Sequence, residues 1–381
     1  MTKVAVVKAD SYDQQTVEQA MQELLAHLGG MSRFIQPGDR VLVKPNMLEG
    51  VDKDKAVTTH PRVVQAVIKV VKEAGGLPFV GDSPALGNAR KTAERTGIWD
   101  VCKAEGITLS PFQETVDVEF PEGKILRKLA LAKEFIAADK VISVAKMKTH
   151  SFMGVTGGIK NLFGFIVGAG KAQCHLRMQQ KGDFALLLLD LARRVAPALC
   201  IVDGITGMEG DGPRNGTPVK AGVLLAGENG FAVDMVMSKI MGFDAQSLPV
   251  AVKALAQGLV PPLADIELRG SAADLRLQFK APKNLAALED TIPPWMARLA
   301  RRHLTAIPLI RENCLNCGRC LRHCPPRAIS APAGKARIDY AKCIRCYCCQ
   351  ELCPHDAVHL REGLLLRGLQ RWFARDRGRP R

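Results

Sequence analysis

Two stretches, CLNCGRCLRHCP from Cys314 and CIRCYCCQELCP from Cys343, share the spacing C-x2-C-x2-C-x3-C-P. Three thiolates on one tight turn can grip three irons of a cubane. The fourth, on the short helix that follows, reaches across to the other copy's cubane, which is the ligand run for a pair of 4Fe-4S clusters. One cluster is expected on Cys314, Cys317, Cys320 and Cys353, and the other on Cys343, Cys346, Cys349 and Cys324. Zinc would need a tetrahedral set of four and would leave the doubled triple spacing without a reason. Cys348 is out of register beside Cys349 and reads as a buried thiol. Cys102, Cys174 and Cys200 stand alone, where a free cysteine is usually a small core hydrophobe, although Cys174 adjoins His175. Such clusters do one-electron chemistry, and the nearby Arg319, Arg322, Lys342 and Arg345 favour the reduced form.

A second constellation lies in KTHSFMGVTGGIKNLFG, which starts at Lys148 and follows the strand-like KVISVA. It therefore sits where α/β sheets bind ligands, beyond the carboxyl end of a strand. Gly157 and Gly158 are expected to turn the backbone so that N–H groups cradle an anion. Lys148, Lys160, Lys171 and Asn161 are expected to bind it. His150, His175 and Lys160 are the candidate catalytic groups, the imidazoles as proton donors. Phe152, Phe163 and Phe165 make the segment too apolar to lie in water, so a buried site for a carboxylate or phosphate is expected. GAGKAQ around Lys171 lacks the first glycine and the hydroxyl of a Walker A loop, which argues against ATP hydrolysis there.

Other strand exits could join the site. KPNMLEG offers Lys44 and Asn46, TTHP offers His60, GDSPA offers Asp82 and Ser83, and DGITGMEGDGP offers Asp203, Glu209 and Asp211 as an acidic wall. For each alone, a turn or capping role competes with ligand binding.

The elements that must position these residues follow from periodicity. VAVVKA, RVLVKP, LPFVG, ITLSPF, KVISVAKMKTH, LCIVDGITG and AGVLLAGENG read as strands, with helical patterns between many of them. The β-α-β-α order predicts an α/β fold: an open, largely parallel sheet with helices on both faces, followed by a small α+β ferredoxin-like double-cluster domain. The expected boundaries are 1–290 for the α/β domain, 291–310 for a linker helix, 311–360 for the cluster domain and 361–381 for a basic amphipathic tail. With 381 residues, 47 % of them hydrophobic, the chain can bury at least one full core. Residues 291–381 carry 18 lysines and arginines against 6 acids, so most of the net +15 belongs to the C-terminal quarter. No apolar run of membrane-spanning length and no signal-peptide pattern is present, so a cytoplasmic protein is expected. The tail, with Leu364, Trp372, Phe373 and seven arginines from Arg361 onward, suits peripheral contact with an anionic membrane or steering of acidic partners. Nucleic acid is an unlikely partner, since no nucleic-acid module is recognisable.

The segments KPN, THP, GDSP, KMKTH, GGIKNLFG, GKAQCH and DGITGMEGDGP, followed by the doubled cysteine run, resemble the domain-of-unknown-function family 362 fused to a bacterial-type double 4Fe-4S ferredoxin module. The resemblance spans about residues 4–245 and 310–356 and implies iron-sulfur binding. ADKVISVAKMKTHSFMGVTGGIKNLFG with GKAQCH is more distantly similar to the nickel-pincer lactate racemase, which implies an alternative, racemase-like activity. The leading expectation is an oxidoreductase that passes electrons from a redox partner protein, through two 4Fe-4S clusters, to a small anionic substrate or bound cofactor. A non-catalytic electron carrier or adaptor for a partner enzyme is the other alternative.

Overall fold

The computed structural model describes residues 1–85, 87–282 and 306–361. The predicted strands are present: β1 (Lys3–Lys8), β2 (Arg40–Pro45), β3 (Leu77–Gly81) and β4 (Leu109–Ser110), then β7 (Lys140–His150), β9 (Leu199–Glu209) and β10 (Thr217–Gly227); the sheet also contains β8 (Gly154–Thr156) and β11 (Glu267–Arg269). Between β4 and β7 a separate hairpin is formed by β5 (Thr115–Glu119) and β6 (Lys128–Ala132). The main sheet runs β11-β1-β10-β9-β7-β2-β3-β4, with β8 paired to the end of β7. Pairing is parallel from β9 through β7, β2 and β3 to β4, and antiparallel where β10 meets β9 and β1. Strands covered on both faces read as near-continuous apolar runs. In β1, Ala5 and Val7 enter one core while Val4 and Val6 enter the opposite one.

Helices α1 (Gln14–Ala26), α2 (Pro61–Glu73), α3 (Ala89–Thr96) and α4 (Ile98–Ala104) pack on the first face. The helical stretch through AERTGIWDVCKAEG is broken by Gly97, whose φ of 79° ends α3 and starts α4. After the short α5 (Glu134–Ala137), the second face is covered by α6 (Gly158–Asn161), α7 (Ala169–Arg177), α8 (Lys181–Val195), α9 (Gly230–Ile240) and α10 (Pro249–Ala256). This order creates a topological switch point. The chain leaves β2 through α2 for β3 on one side, and leaves β7 through α8 for β9 on the other. A crevice must therefore open between the carboxyl ends of β2 and β7.

In the C-terminal region, Ile307–Ile310 pairs antiparallel with Val358–Arg361, and Ile329–Ser330 pairs with Arg337–Ile338. Short helices at Arg319–Arg322 and Cys348–Glu351 complete the small α+β unit. Residues 307–310 are thus a strand, not the end of a linker helix, because they pair with the closing strand of the cluster domain. The rest of the expected linker, 291–305, and the tail from 362 lie outside the described residues. Ala306, Tyr347 and Leu360 join the same core as Phe152 and Phe184, so the cluster unit is packed onto the second face of the α/β domain.

Candidate functional site

The cysteine run has the backbone that two cubanes require. Left-handed residues occur at Asn316, Gly318 and Arg327, with φ of 48°, 71° and 51°, and again at the equivalent Arg345, Tyr347 and Asp356, with φ of 53°, 61° and 51°. Side-chain-bearing residues seldom adopt this conformation, so its recurrence in both copies marks a shared loop shape. Amides are aimed at sulfur in the same register: Ala328 N–H donates to Cys324 Sγ and Ala357 N–H to Cys353 Sγ, each at 3.2 Å. The Cys320 thiol is pushed up by burial and then by Cys353, Cys314 and Cys317. Burial, followed by Cys346 and Cys343, does the same to Cys349. Crowded thiols that repel one another as thiolates become ligands once iron supplies positive charge. The donor sets Cys314, Cys317, Cys320, Cys353 and Cys343, Cys346, Cys349, Cys324 therefore fit two 4Fe-4S clusters, which supply one-electron transfer when bound.

At the switch point lies a cavity with about 110 Å³ of free space, lined among others by Asn46, Asp82, Lys148, His150, Lys160 and Asn161. A single water needs about 10–15 Å³ of such space, so there is room for a small anion. β2 and β7 bring Asn46 and Lys148 together: Lys148 Nζ donates to Asn46 Oδ1 at 3.0 Å and to Val57 O at 2.7 Å. Beneath the floor, Lys44 is fully buried and pairs with Asp82 at 2.6 Å, while its Nζ donates to Asn161 Oδ1 at 3.3 Å. Lys44 is thus a support beneath the cavity. Gly164 is required beside this pair, since a Cβ there would lie 1.9 Å from Asp82 Oδ1.

Lys171 donates to Ser83 Oγ at 2.9 Å and to Pro84 O at 3.1 Å. Burial pushes its ammonium down to about 7, against the opposing pull of Asp82. His150 uses Nδ1 to accept the amides of Phe152 and Met153 at 3.0 and 3.2 Å, leaving Nε2 to carry the proton. Burial, then Lys160, His175 and Lys148, hold this imidazole well below its ordinary range. His175 stacks on Phe184 with centroids 4.7 Å apart, and burial followed by Lys160 lowers it to about 3. Both histidines are therefore neutral near pH 7 and are not ready acids on their own. Lys160 Nζ lies 4.5 Å from the Phe163 ring centroid and 5.6 Å from that of Phe184. Two buried polar atoms of the lining, His175 Nδ1 and Thr156 Oγ1, have no hydrogen-bond partner among the described residues. Buried polar groups are rarely left so, and these two atoms sit in the same wall as the lysines.

Besides Lys44, five residues expected at the site are placed elsewhere. Gly157 and Gly158 do not cradle a ligand: Gly158 N–H donates to Asp234 Oδ1 at 2.6 Å and Ile159 N–H to Oδ2 at 3.1 Å. A Cβ at Gly157 would lie 2.1 Å from Asp234 Oδ1, so the glycine admits that carboxylate. His60 is the N-cap of α2, its Nδ1 accepting from Arg62 N at 3.2 Å, and its ring stacks on Tyr12 at 3.7 Å. Asp203 is a buried structural anion, paired with Lys146 at 2.8 Å and accepting from Tyr12 Oη at 2.9 Å and His60 N at 2.9 Å. Glu209 accepts from Lys280 N at 2.8 Å. Asp203 and Glu209 lie within β9, which continues through the segment expected to be a glycine loop. None of these residues lines the cavity.

Three contributors escaped the sequence reading as site residues: Thr156 on β8, and His323 and Cys348 from the cluster domain, all of which line the cavity. The positions of His323 and Cys348, next to ligands Cys324 and Cys349, were the only signal, and sequence alone could not aim them.

Comparison with known proteins agrees with this architecture. The profile described as Domain of unknown function (DUF362) matches residues 41–239, and that of a 4Fe-4S dicluster domain matches residues 307–354. The chain is 38 % identical over 270 residues to the thylakoid-associated protein sll1697 of Synechocystis sp., covering 69 % of this chain and 82 % of that protein. A shorter similarity, 40 % over 49 residues, is to a component of the ion-translocating oxidoreductase complex of Methanosarcina acetivorans, and covers 13 % of this chain and 19 % of that one. Among solved structures, the lactate racemase apoprotein of Thermoanaerobacterium thermosaccharolyticum aligns with a TM-score of 0.35 and 16 % identity over 53 % of this chain and 50 % of that one, too slight a likeness to bear on function. The protein is an electron-carrying iron-sulfur protein with two 4Fe-4S clusters. It belongs to the DUF362 family, in a form that carries a 4Fe-4S dicluster domain at its C-terminal side.

Proposed function

We propose that the protein is an oxidoreductase that holds a small anionic substrate or bound cofactor by its carboxylate or phosphate group in the switch-point cavity and reduces another part of that molecule with electrons supplied by the two clusters. The observation that carries this reading is the shared wall: His323 and Cys348 line the cavity and are bonded in sequence to the ligands Cys324 and Cys349. Lys148 and Lys160, joined by Lys171 when it is protonated, supply a positive field in a partly enclosed, low-dielectric space, where an anion is attracted more strongly than in water. The Nε2–H of His150 is an oriented donor, because the backbone amides occupy Nδ1. Burial, more than the repulsion from Lys160, depresses both imidazoles, and an arriving anion offsets the Lys160 part of it. The proton affinity of His175 then rises and its Nδ1, partnerless among the described residues, is the place for an added proton, whereas His150 keeps Nδ1 as the acceptor of two amides and donates through Nε2–H. Each two-electron reduction draws two electrons from an external one-electron donor protein and its protons from these groups or from solvent.

The test is anaerobic. The reduced protein is mixed with a panel of carboxylates, phosphates and oxidised cofactors, and reoxidation is followed by absorbance. One compound should reoxidise the wild type at least tenfold faster than Lys160→Ala with equal cluster content. Equal rates in the two proteins across the panel would reject a reducing site in this cavity. Isomerisation of a 2-hydroxy acid without reoxidation would support the racemase-like alternative. The thylakoid association of the relative supports peripheral membrane contact through the basic tail. Co-sedimentation with anionic vesicles, lost on deleting residues 364–381, is the expected result; wild-type protein remaining in the supernatant would refute it.

A further inference from the structure

The two halves of the cysteine run are alike in sequence and unlike in surroundings. In the second copy Tyr347 is 1 % exposed, its Oη donates to Ala306 O at 3.0 Å, and it packs into the α/β core. Cys348 beside it is buried, and Ile344 and Cys346 are half-buried. At the equivalent places in the first copy, Gly318 stands for Tyr347 and half-buried Arg319 for Cys348, while Cys317 is exposed and Leu315 is 70 % exposed. The second copy is thus the more buried against the α/β domain, while the Leu315–Cys317 side of the first copy is open to solvent and only His323 at its end reaches the cavity wall. A single exposed leucine is ordinary by itself, so its weight here comes from its place beside the exposed ligand Cys317 and from the charges around it.

The surroundings of Leu315 are basic. The segments that wall the first cluster's pocket run through Leu315–Leu321, Ala331–Ala336 and Cys353–Val358. Within and flanking them are Arg311, Arg319, Arg322, Lys335 and Arg337, against the acids Glu312 and Asp356. Arg319 is partly neutralised by Glu49 at 3.5 Å, while Arg311, Arg322, Lys335 and Arg337 are exposed. An apolar knob ringed by exposed cations fits an acidic protein surface: the charges steer the encounter and the knob is buried on contact.

We propose that the face around Leu315 and Cys317 is the docking surface for an acidic one-electron carrier protein, which makes the first copy the electron inlet and leaves the second copy the more buried against the α/β domain. One electron leaves the carrier and is gained on this chain; no bond forms or breaks and no proton is needed. The proposal rests on the electron-carrying role of the clusters and is independent of what the cavity binds.

The test uses the full chain with both clusters and, as probe, an acidic plant-type 2Fe-2S ferredoxin. Binding of the oxidised probe is measured by calorimetry, and cluster reduction by the reduced probe is measured anaerobically by stopped flow at two ionic strengths. The variant Leu315→Glu/Lys335→Glu/Arg337→Glu is expected to weaken binding and slow reduction by tenfold or more at low salt, and to be reduced by dithionite at the wild-type rate. In the wild type, raising the salt should lower both affinity and rate. A wild-type affinity or rate insensitive to salt overturns the proposal without recourse to any variant. So does a variant that binds the probe as the wild type does, or a larger loss from Lys342→Glu/Arg345→Glu in the second copy. If the triple variant fails to retain its clusters, the salt dependence of the wild type decides.

Discussion

His175 shows what a single side chain contributes here. Its ring is buried against Phe184 and its proton affinity is lowered to about 3 in the folded state, below the ordinary 6.5. A group with a depressed folded value stabilises the fold fully above its unfolded value, and this contribution is lost as pH falls towards the folded value. His175→Phe keeps the aromatic stack and is expected to flatten the loss of stability between pH 6.5 and about 3, as measured by denaturant unfolding across that range. A slope equal to that of the wild type would contradict the buried, neutral imidazole. Asp203 makes the opposite case. Asp203→Asn leaves Lys146 buried without its counter-charge and should cost about 3–5 kcal/mol, as expected for breaking a buried pair. Reoxidation per folded molecule should be unchanged, because Asp203 is outside the cavity. Asn46, Asp82, Lys148, His150, Lys160, Asn161, Lys171 and His175, singled out from the sequence, line one cavity, since strand ends converge at a switch point. The sequence pattern could not separate them from His60, Asp203 and Glu209, because a cap, an ion pair and a ligand-binding group use the same residue types.

At the scale of elements, the turn between β9 and β10 joins the two domains. Arg214 on this turn pairs with Glu49 and donates to the backbone carbonyl of the ligand Cys353, while Glu49 also meets Arg319 at 3.5 Å. Asn215 Nδ2 donates to Gln350 O at 3.3 Å, and Gln350 Nε2 donates to Asp211 O at 3.1 Å. A fixed positive charge beside a cluster favours the reduced form, and a negative one disfavours it. Arg214→Gln should therefore move the midpoint of the cluster on Cys314, Cys317, Cys320 and Cys353 to lower potential, and Glu49→Gln should move it to higher potential. Redox titration followed by electron paramagnetic resonance separates the two midpoints; shifts of the same sign in both variants would show loosened packing instead of charge. The existence of β9 was legible from its apolar run, but its length was not. Glycines that punctuate turns elsewhere lie inside this strand, and only pairing with β10, from Cys200 to Glu209, reveals it.

Across the whole molecule, the α/β domain has extensive cores on both faces of its sheet, whereas the cluster domain's own core centres on Cys353, Ala357 and Val358. A unit with so small a core depends on its metal for stability. Anaerobic removal of iron with a chelator should open residues 306–361 to limited proteolysis at least tenfold faster, while the melting transition of the α/β domain persists. Equal protease resistance with and without iron would contradict this. The two domains and their cofactors were legible from spacing alone, because cluster ligation tolerates little variation in a ligand run. Their mutual packing was not, since nothing in the sequence of Tyr347 or Cys348 announces which surface they face. That packing makes the cavity and the clusters one working unit, and the most direct test is spectroscopic. Magnetic resonance spectra of the fully reduced protein are recorded with and without the anion that best reoxidises it, held under non-turnover conditions by freezing. The account predicts that the anion alters the signal of the cluster on Cys343, Cys346, Cys349 and Cys324, and that Lys160→Ala abolishes the change. Signals of both clusters unchanged by a saturating anion would contradict it.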